Sequence, residues 1–73
     1  MTTYKHKSAA VKAAEALLPT ASEPLAVVEW FRGHHFYEVK VLRKAEKYAA
    51  MHPTEAKVVV RFYPGTLDIG GAA

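Results

Sequence analysis

The chain has 73 residues and no cysteine, and ten Lys and Arg against seven Asp and Glu give a net charge of +3 with neutral His. A chain of this length forms one hydrophobic core, so residues 1–73 are expected to make a single compact domain, and the lack of cysteine excludes a disulfide scaffold. No apolar run approaches the ~20 residues of a membrane span or resembles a signal peptide, so we expect a cytoplasmic protein that does not bind membranes.

The first predicted element is a helix over residues 8–18, which are rich in alanine, the best helix former. Apolar side chains recur at helical spacing from Val11 onward, and Pro19 ends the pattern. A polar arm, residues 1–7, precedes this helix, and at the other end of the chain residues 70–73 are Gly-Gly-Ala-Ala. Both of these terminal segments are expected to be flexible.

Residues 25–32 admit two interpretations. Their β-branched and aromatic side chains favour a strand, and a second strand at 36–42 would complete a hairpin across Gly33. Alternatively, Thr20 and Glu23 match a capping box, and Gly33 suits the end of a helix. The hairpin is the preferred interpretation, and the helix is the alternative.

Residues 42–52 predict a second helix, because their apolar side chains fall on one arc and Pro53 follows. Residues 57–63 predict a strand rich in valine and aromatic residues. The sequence therefore predicts a small α+β domain of order α-β-β-α-β, with a three-stranded sheet and both helices on one face. A three-helix cluster with one C-terminal strand is the alternative that follows if 25–32 is helical.

The sequence shows no residue pattern typical of catalysis or metal binding. Of the four histidines, His34 and His35 are adjacent, and neighbours on a strand point to opposite faces, so such a pair rarely binds one ion through both rings. The two serines, Ser8 and Ser22, are typical of helix starts or turns. We therefore expect a protein that is not an enzyme and that has no catalytic residues, no metal and no cofactor.

Basic residues form two groups along the chain, one near the first predicted helix and one in the second predicted helix. If the two groups converged, they would form a patch able to bind DNA or RNA through its phosphates. Acidic residues interrupt the second group, which is also the pattern of an ordinary solvated helix face. The residues of this nucleic-acid alternative are Lys5, Lys7, Lys12, Arg43, Lys44 and Lys47.

Aromatic residues occur in adjacent pairs along the predicted strands, at Trp30–Phe31, Phe36–Tyr37 and Phe62–Tyr63. Adjacent strand residues point to opposite faces, so each pair is expected to direct one ring inward and one outward. Outward aromatic rings beside an arginine are typical of the residues that dominate binding at protein interfaces.

These patterns predict a small non-enzymatic protein that occupies a surface of a protein or nucleoprotein partner, as an inhibitor or adaptor would. The size and alanine-rich composition are those of small accessory proteins of phages and mobile elements. Direct nucleic-acid binding is the alternative function, and self-association into a homodimer is also left open by the small core. The residues expected to bind the partner are Trp30, Arg32, Phe36, Arg43, Lys44 and Lys47.

Overall fold

The computed structural model describes residues 2–64 and confirms the α+β class. The strands are β1 (Thr3–Tyr4), β2 (Leu25–Arg32), β3 (His34–Val41) and β4 (Ala56–Phe62), and the helices are α1 (Lys7–Leu17) and α2 (Leu42–Met51). A short 3-10 turn, Leu18–Thr20, follows α1. No helix in this part of the chain is long and apolar enough to cross a membrane.

The segment 25–32 is a strand, so the hairpin interpretation is confirmed and the three-helix alternative is wrong. Gly33 makes the turn between β2 and β3 with a φ of +74°, a backbone conformation that glycine adopts without steric strain. The hairpin pairs β2 and β3 along their whole length, from Leu25 opposite Val41 to Arg32 opposite His34. This long antiparallel pair forms the centre of the sheet.

The sheet has four strands in the order β1-β3-β2-β4, and every neighbouring pair is antiparallel. The strand beyond the three that the sequence predicts is β1, whose Thr3 and Tyr4 pair with Glu38 and Tyr37. This strand lies in the segment 1–7, which the sequence predicts to be flexible. The other segment with that prediction, 70–73, lies outside the described residues.

The two helices lie on opposite faces of the sheet, so the prediction that both cover one face is wrong. Successive residues of β2 point alternately to the two faces. Ala26 and Val28 pack with Ala45 of α2 in one fully buried cluster, whereas Val27 packs with Ala14 of α1 in the other. The chain is therefore a three-layer structure with a core on each side of the sheet.

The direction of the two crossovers explains this arrangement. α1 connects β1 to β2 across β3, and α2 connects β3 to β4 across β2, so both connections step toward the same edge of the sheet. β1 and β3 run antiparallel, so the two steps begin from strands of opposite direction. Connections between parallel strands are right-handed in about 98% of cases, and that handedness sends these two helices to opposite faces.

A bulge in β4 divides three consecutive valines between the two cores. The pairing shifts between β2 residues Val27 and Val28, which lie opposite Val60 and Val58, so that Val59 is the extra residue. Val58 packs with the α2 core, and Val59 and Val60 pack with the α1 core.

Candidate functional site

A cleft of about 340 Å³ lies on the face of the sheet that carries α2. Its lining combines aromatic, acidic and basic side chains from three strands, from α2 and from the residue that follows α2. The residues that line the cleft are Thr3, Trp30, Arg32, Phe36, Glu38, Lys40, Tyr48 and His52. Strand alternation accounts for the set, because the even-numbered residues of β2 and β3 all point to this face.

The indole of Trp30 forms the floor of the cleft and is only 6% exposed. The rings of Phe36, Tyr48 and His52 surround it, with centroids 6.2, 6.3 and 6.1 Å away. The guanidinium carbon of Arg32 lies 4.6 Å from the indole centroid, which is a cation–π contact. These contacts favour one orientation of the indole ring.

Glu38 is the buried acid of the cleft, with 3% of the residue exposed. Its Oε1 accepts a hydrogen bond from Trp30 Nε1 at 3.2 Å and lies 3.3 Å from Lys40 Nζ. The same Nζ lies 4.7 Å from the centroid of the Tyr48 ring. Oε2 is also buried, and within the described part of the chain it has no hydrogen-bond partner. An unsatisfied buried acceptor costs about 1–3 kcal/mol, and more when it is charged.

Each charged side chain in or beside the cleft has a neighbour of opposite charge. Glu38 pairs with Lys40 on the sheet. Glu55, just beyond the cleft, lies 3.8 Å from Arg32 Nε and 3.6 Å from His52 Nδ1. Each basic group that lines the cleft thus has a carboxylate beside it, and the local field does not strongly favour a guest of either sign.

The structure brings together three of the residues that the sequence predicts to bind a partner, namely Trp30, Arg32 and Phe36. In the pair Trp30–Phe31 the outward ring is Phe31, with 52% exposed, whereas Trp30, which the sequence predicts to contact a partner, lies beneath α2. The reason is that α2 covers the face to which Trp30 points.

The other three predicted residues lie on α2, on its solvent side. Lys44 and Lys47 are exposed. Arg43 donates to Glu23, with Nε 2.7 Å from Oε1 and Nη2 3.4 Å from Oε2. The hydrogen bond from Arg43 lowers the pKa of the Glu23 carboxyl, and the same bond raises the pKa of Arg43. Arg43 therefore joins α2 to the segment before β2.

The two basic groups do not form the single patch that the nucleic-acid alternative requires. Lys7 and Lys12 belong to α1, whereas Lys44 and Lys47 belong to α2. Because the helices cover opposite faces of the sheet, these two pairs of lysines lie on different surfaces.

A second polar cluster lies on the α1 face, near the turn of the hairpin. Glu29 Oε2 accepts a hydrogen bond from the Tyr37 hydroxyl at 3.2 Å and lies 2.7 Å from His35 Nε2. Burial raises the pKa of the Tyr37 hydroxyl above its usual 10, and the bond to Glu29 adds to this effect. The ring of Phe31 stacks on His35 with centroids 4.4 Å apart. These partners explain how Glu29 is accommodated on a strand whose other residues are mostly apolar.

The cleft residues that sequence reasoning missed are Thr3, Glu38, Lys40, Tyr48 and His52. Glu38 and Lys40 lie on one face of β3, and two charged residues on one strand face are usually solvated. Their burial could have been inferred from β2, because a strand with apolar residues on both faces needs another element packed against each face. Among residues 2–64, no group of three or more His, Asp or Glu side chains is placed to hold a metal ion.

No family model matches the chain, and no curated protein and no solved structure shows significant similarity to it. Functional inference for this protein therefore rests on the chemistry of the cleft.

Proposed function

We propose that the protein is a non-enzymatic binding protein that occupies a surface of a macromolecular partner, and that it engages a protein partner at the cleft. The observation that carries this proposal is the Glu38 carboxylate, which lines a cleft rich in aromatic rings and whose buried Oε2 has no hydrogen-bond partner among residues 2–64. A group with spare hydrogen-bonding capacity inside a preformed cleft is typical of a recognition site. An inhibitor or an adaptor would act in this way.

The hydrogen bonds and ion pairs of the cleft leave Glu38 Oε2, among residues 2–64, as the acceptor that a partner would use. Here Glu38 Oε1 is shared between Trp30 and Lys40, and Lys40 is held against both Glu38 and the Tyr48 ring. The charged groups thus stabilise one another.

The surroundings of the cleft suit a protein interface. Interfaces concentrate binding energy in central, desolvated pockets with aromatic and arginine side chains, and they surround these pockets with a polar rim. Trp30 and Phe36 supply the aromatic centre, and Arg32 lies over it. The exposed Lys44 and Lys47 lie on the helix above the same face and would guide the approach of an acidic partner surface.

Direct binding of DNA or RNA is the alternative function. It would use only the basic residues on the α2 side of the sheet. The exposed Lys44 and Lys47, together with Arg43, are the residues that support it. Phosphate contact predicts a steep loss of affinity with added salt, whereas a contact dominated by the cleft predicts a much smaller loss.

The proposal is tested by affinity capture from cells of the source organism with a matched pair of charge reversals. Arg32→Glu changes the cleft, and Lys57→Glu makes the same charge change at an exposed residue opposite Glu29 on the α1 face. We expect one protein partner to be retained by the Lys57→Glu variant and lost from the Arg32→Glu variant, with both variants folded by circular dichroism.

Three outcomes would contradict the proposal in different ways. Equal capture by both variants would show that the partner binds elsewhere. Loss of capture after nuclease treatment, with a steep dependence on salt, would support the nucleic-acid alternative. Recovery of only a second copy of the chain would indicate self-association.

A further inference from the structure

We propose that the guest of the cleft is an uncharged hydrogen-bond donor, a hydroxyl or carboxamide group on a side chain of the protein partner, which donates to Glu38 Oε2. This inference rests on the proposed function and specifies the chemistry that the same site recognises.

The need for a donor follows from the state of the Glu38 carboxylate. Its Oε1 has two neighbours, the indole N–H of Trp30 and the ammonium group of Lys40, whereas Oε2 is buried without a partner among residues 2–64. A carboxylate oxygen only accepts hydrogen bonds, so the group that satisfies it must carry an N–H or O–H. A guest that supplies this donor gains a charge-assisted hydrogen bond and also removes the penalty of the unsatisfied atom.

The charges near Oε2 favour a guest without a net charge. A cationic guest at Oε2 would stand close to Lys40, whose Nζ is already 3.3 Å from the other oxygen of the same carboxylate. An anionic guest would face the free oxygen of Glu38 itself. Arg32 and His52 offer an anion little compensation, because both lie beside Glu55. A neutral donor meets neither repulsion.

The size of the cleft favours a single side chain as the guest. Its volume of about 340 Å³ is at the lower end of the range for small-molecule pockets, which excludes a whole helix. Phe36 and Tyr48 line it with aromatic surface that a ring or an aliphatic stem can contact. Arg32 and Lys40 are the long, flexible side chains of the lining, and their movement would admit the guest to Oε2.

The test uses the one tryptophan of the chain as a reporter. Trp30 Nε1–H donates to Glu38, so its resonance in a proton–nitrogen correlation spectrum reports directly on the carboxylate. The probes are p-cresol and benzamide as neutral donors, 4-methylanisole as a ring of similar shape without a donor, and benzylamine and benzoate as charged compounds. We expect saturable shifts with the two donors, binding about tenfold tighter than 4-methylanisole, and no saturable shift with the charged probes.

A matched pair of variants assigns the donor preference to one carboxylate. Glu38→Gln replaces the carboxylate by an amide of the same size, and we expect it to abolish the preference for p-cresol over 4-methylanisole. Glu29→Gln makes the same change on the α1 face, and we expect it to keep the preference. If Glu38→Gln does not fold, the comparison of p-cresol with 4-methylanisole in the natural chain decides the question alone.

The outcomes separate this inference from the function on which it rests. Equal binding of p-cresol and 4-methylanisole, tightest binding of benzylamine, or an unchanged preference in Glu38→Gln would each overturn the inference. Capture of a partner that Arg32→Glu abolishes would still support the proposed function in those cases. A donor preference at Glu38 without any such partner would support the site and contradict the function.

Discussion

The two faces of the sheet each carry a glutamate on the central hairpin, and the two carboxylates differ in their burial and in their hydrogen bonding. Glu29, on the α1 face, is 20% exposed and has the Tyr37 hydroxyl and His35 as neighbours of one oxygen, with access to water. Glu38, on the α2 face, is 3% exposed and leaves one oxygen without a partner among the described residues. On the α1 face, neighbouring side chains bond to the glutamate. On the α2 face, one carboxylate oxygen is left to accept a hydrogen bond from a guest.

The largest expected effect is a loss of stability, and it differs between the buried ring of Trp30 and the exposed ring of Phe31. Trp30→Ala removes the floor of the cleft and a large part of the α2 core, and we expect it to lower the free energy of unfolding by about 4 kcal/mol. Phe31 is half exposed, so Phe31→Ala is expected to cost less than about 1 kcal/mol. Urea unfolding followed by circular dichroism measures both values. Similar losses for the two variants would show that the α2 face is no more tightly packed than the hairpin surface.

The next effect concerns the lysine that neutralises Glu38. Lys40→Met leaves a buried carboxylate without its cation, and removing one partner of a buried pair costs about 3 kcal/mol. Lys57 lies opposite the better-hydrated Glu29, and Lys57→Met is expected to change the stability by less than about 0.5 kcal/mol.

The double variant Glu38→Met with Lys40→Met provides the control for this prediction. Because it removes both charges, we expect it to be more stable than Lys40→Met alone, as measured by urea unfolding. A double variant less stable than the single one would mean that Glu38 supports the fold without its cation, through the hydrogen bond that it accepts from Trp30 Nε1.

A smaller effect is expected on the α1 face, at Tyr37. The native pKa of this hydroxyl is raised by burial and by the hydrogen bond to Glu29. Stability associated with the protonated hydroxyl is therefore complete below pH 10 and is lost as the pH rises through the raised pKa. Glu29→Gln removes the negative charge, and we expect the pKa of Tyr37 to move down toward 10, as measured by NMR titration of its ring. An unchanged pKa would indicate that burial alone sets it.

Local signals in the sequence predicted most of the elements but not how they assemble. Helical spacing with Pro19 and Pro53, and Gly33 at the turn, predicted both helices and the hairpin to within a few residues. β1 escaped prediction because two residues carry no periodicity. The placement of the helices was predicted wrongly because it depends on the direction of each crossover, which only the strand order reveals.

The candidate site was predicted in part for a related reason. Trp30, Arg32 and Phe36 were predicted because aromatic residues and arginine are typical of interfaces, and all three line the cleft. Glu38 and Lys40 were not, because a charged strand face is normally solvated. Their burial follows from the position of α2 on that face, a long-range consequence that residue spacing within β3 does not contain.

The smallest expected effect lies outside both faces, at the exposed pair between Glu23 and Arg43. The hydrogen bond from Arg43 lowers the native pKa of Glu23 below 4.5, so the pair's contribution to stability is complete above pH 4.5 and is lost as the pH falls through the lowered pKa. We expect the natural chain to be slightly more stable than Glu23→Gln at neutral pH, and the difference to disappear in acid. Urea unfolding of both chains across this pH range measures the difference. A difference that persists when Glu23 is protonated would show that the pair acts through side-chain packing rather than through its charges.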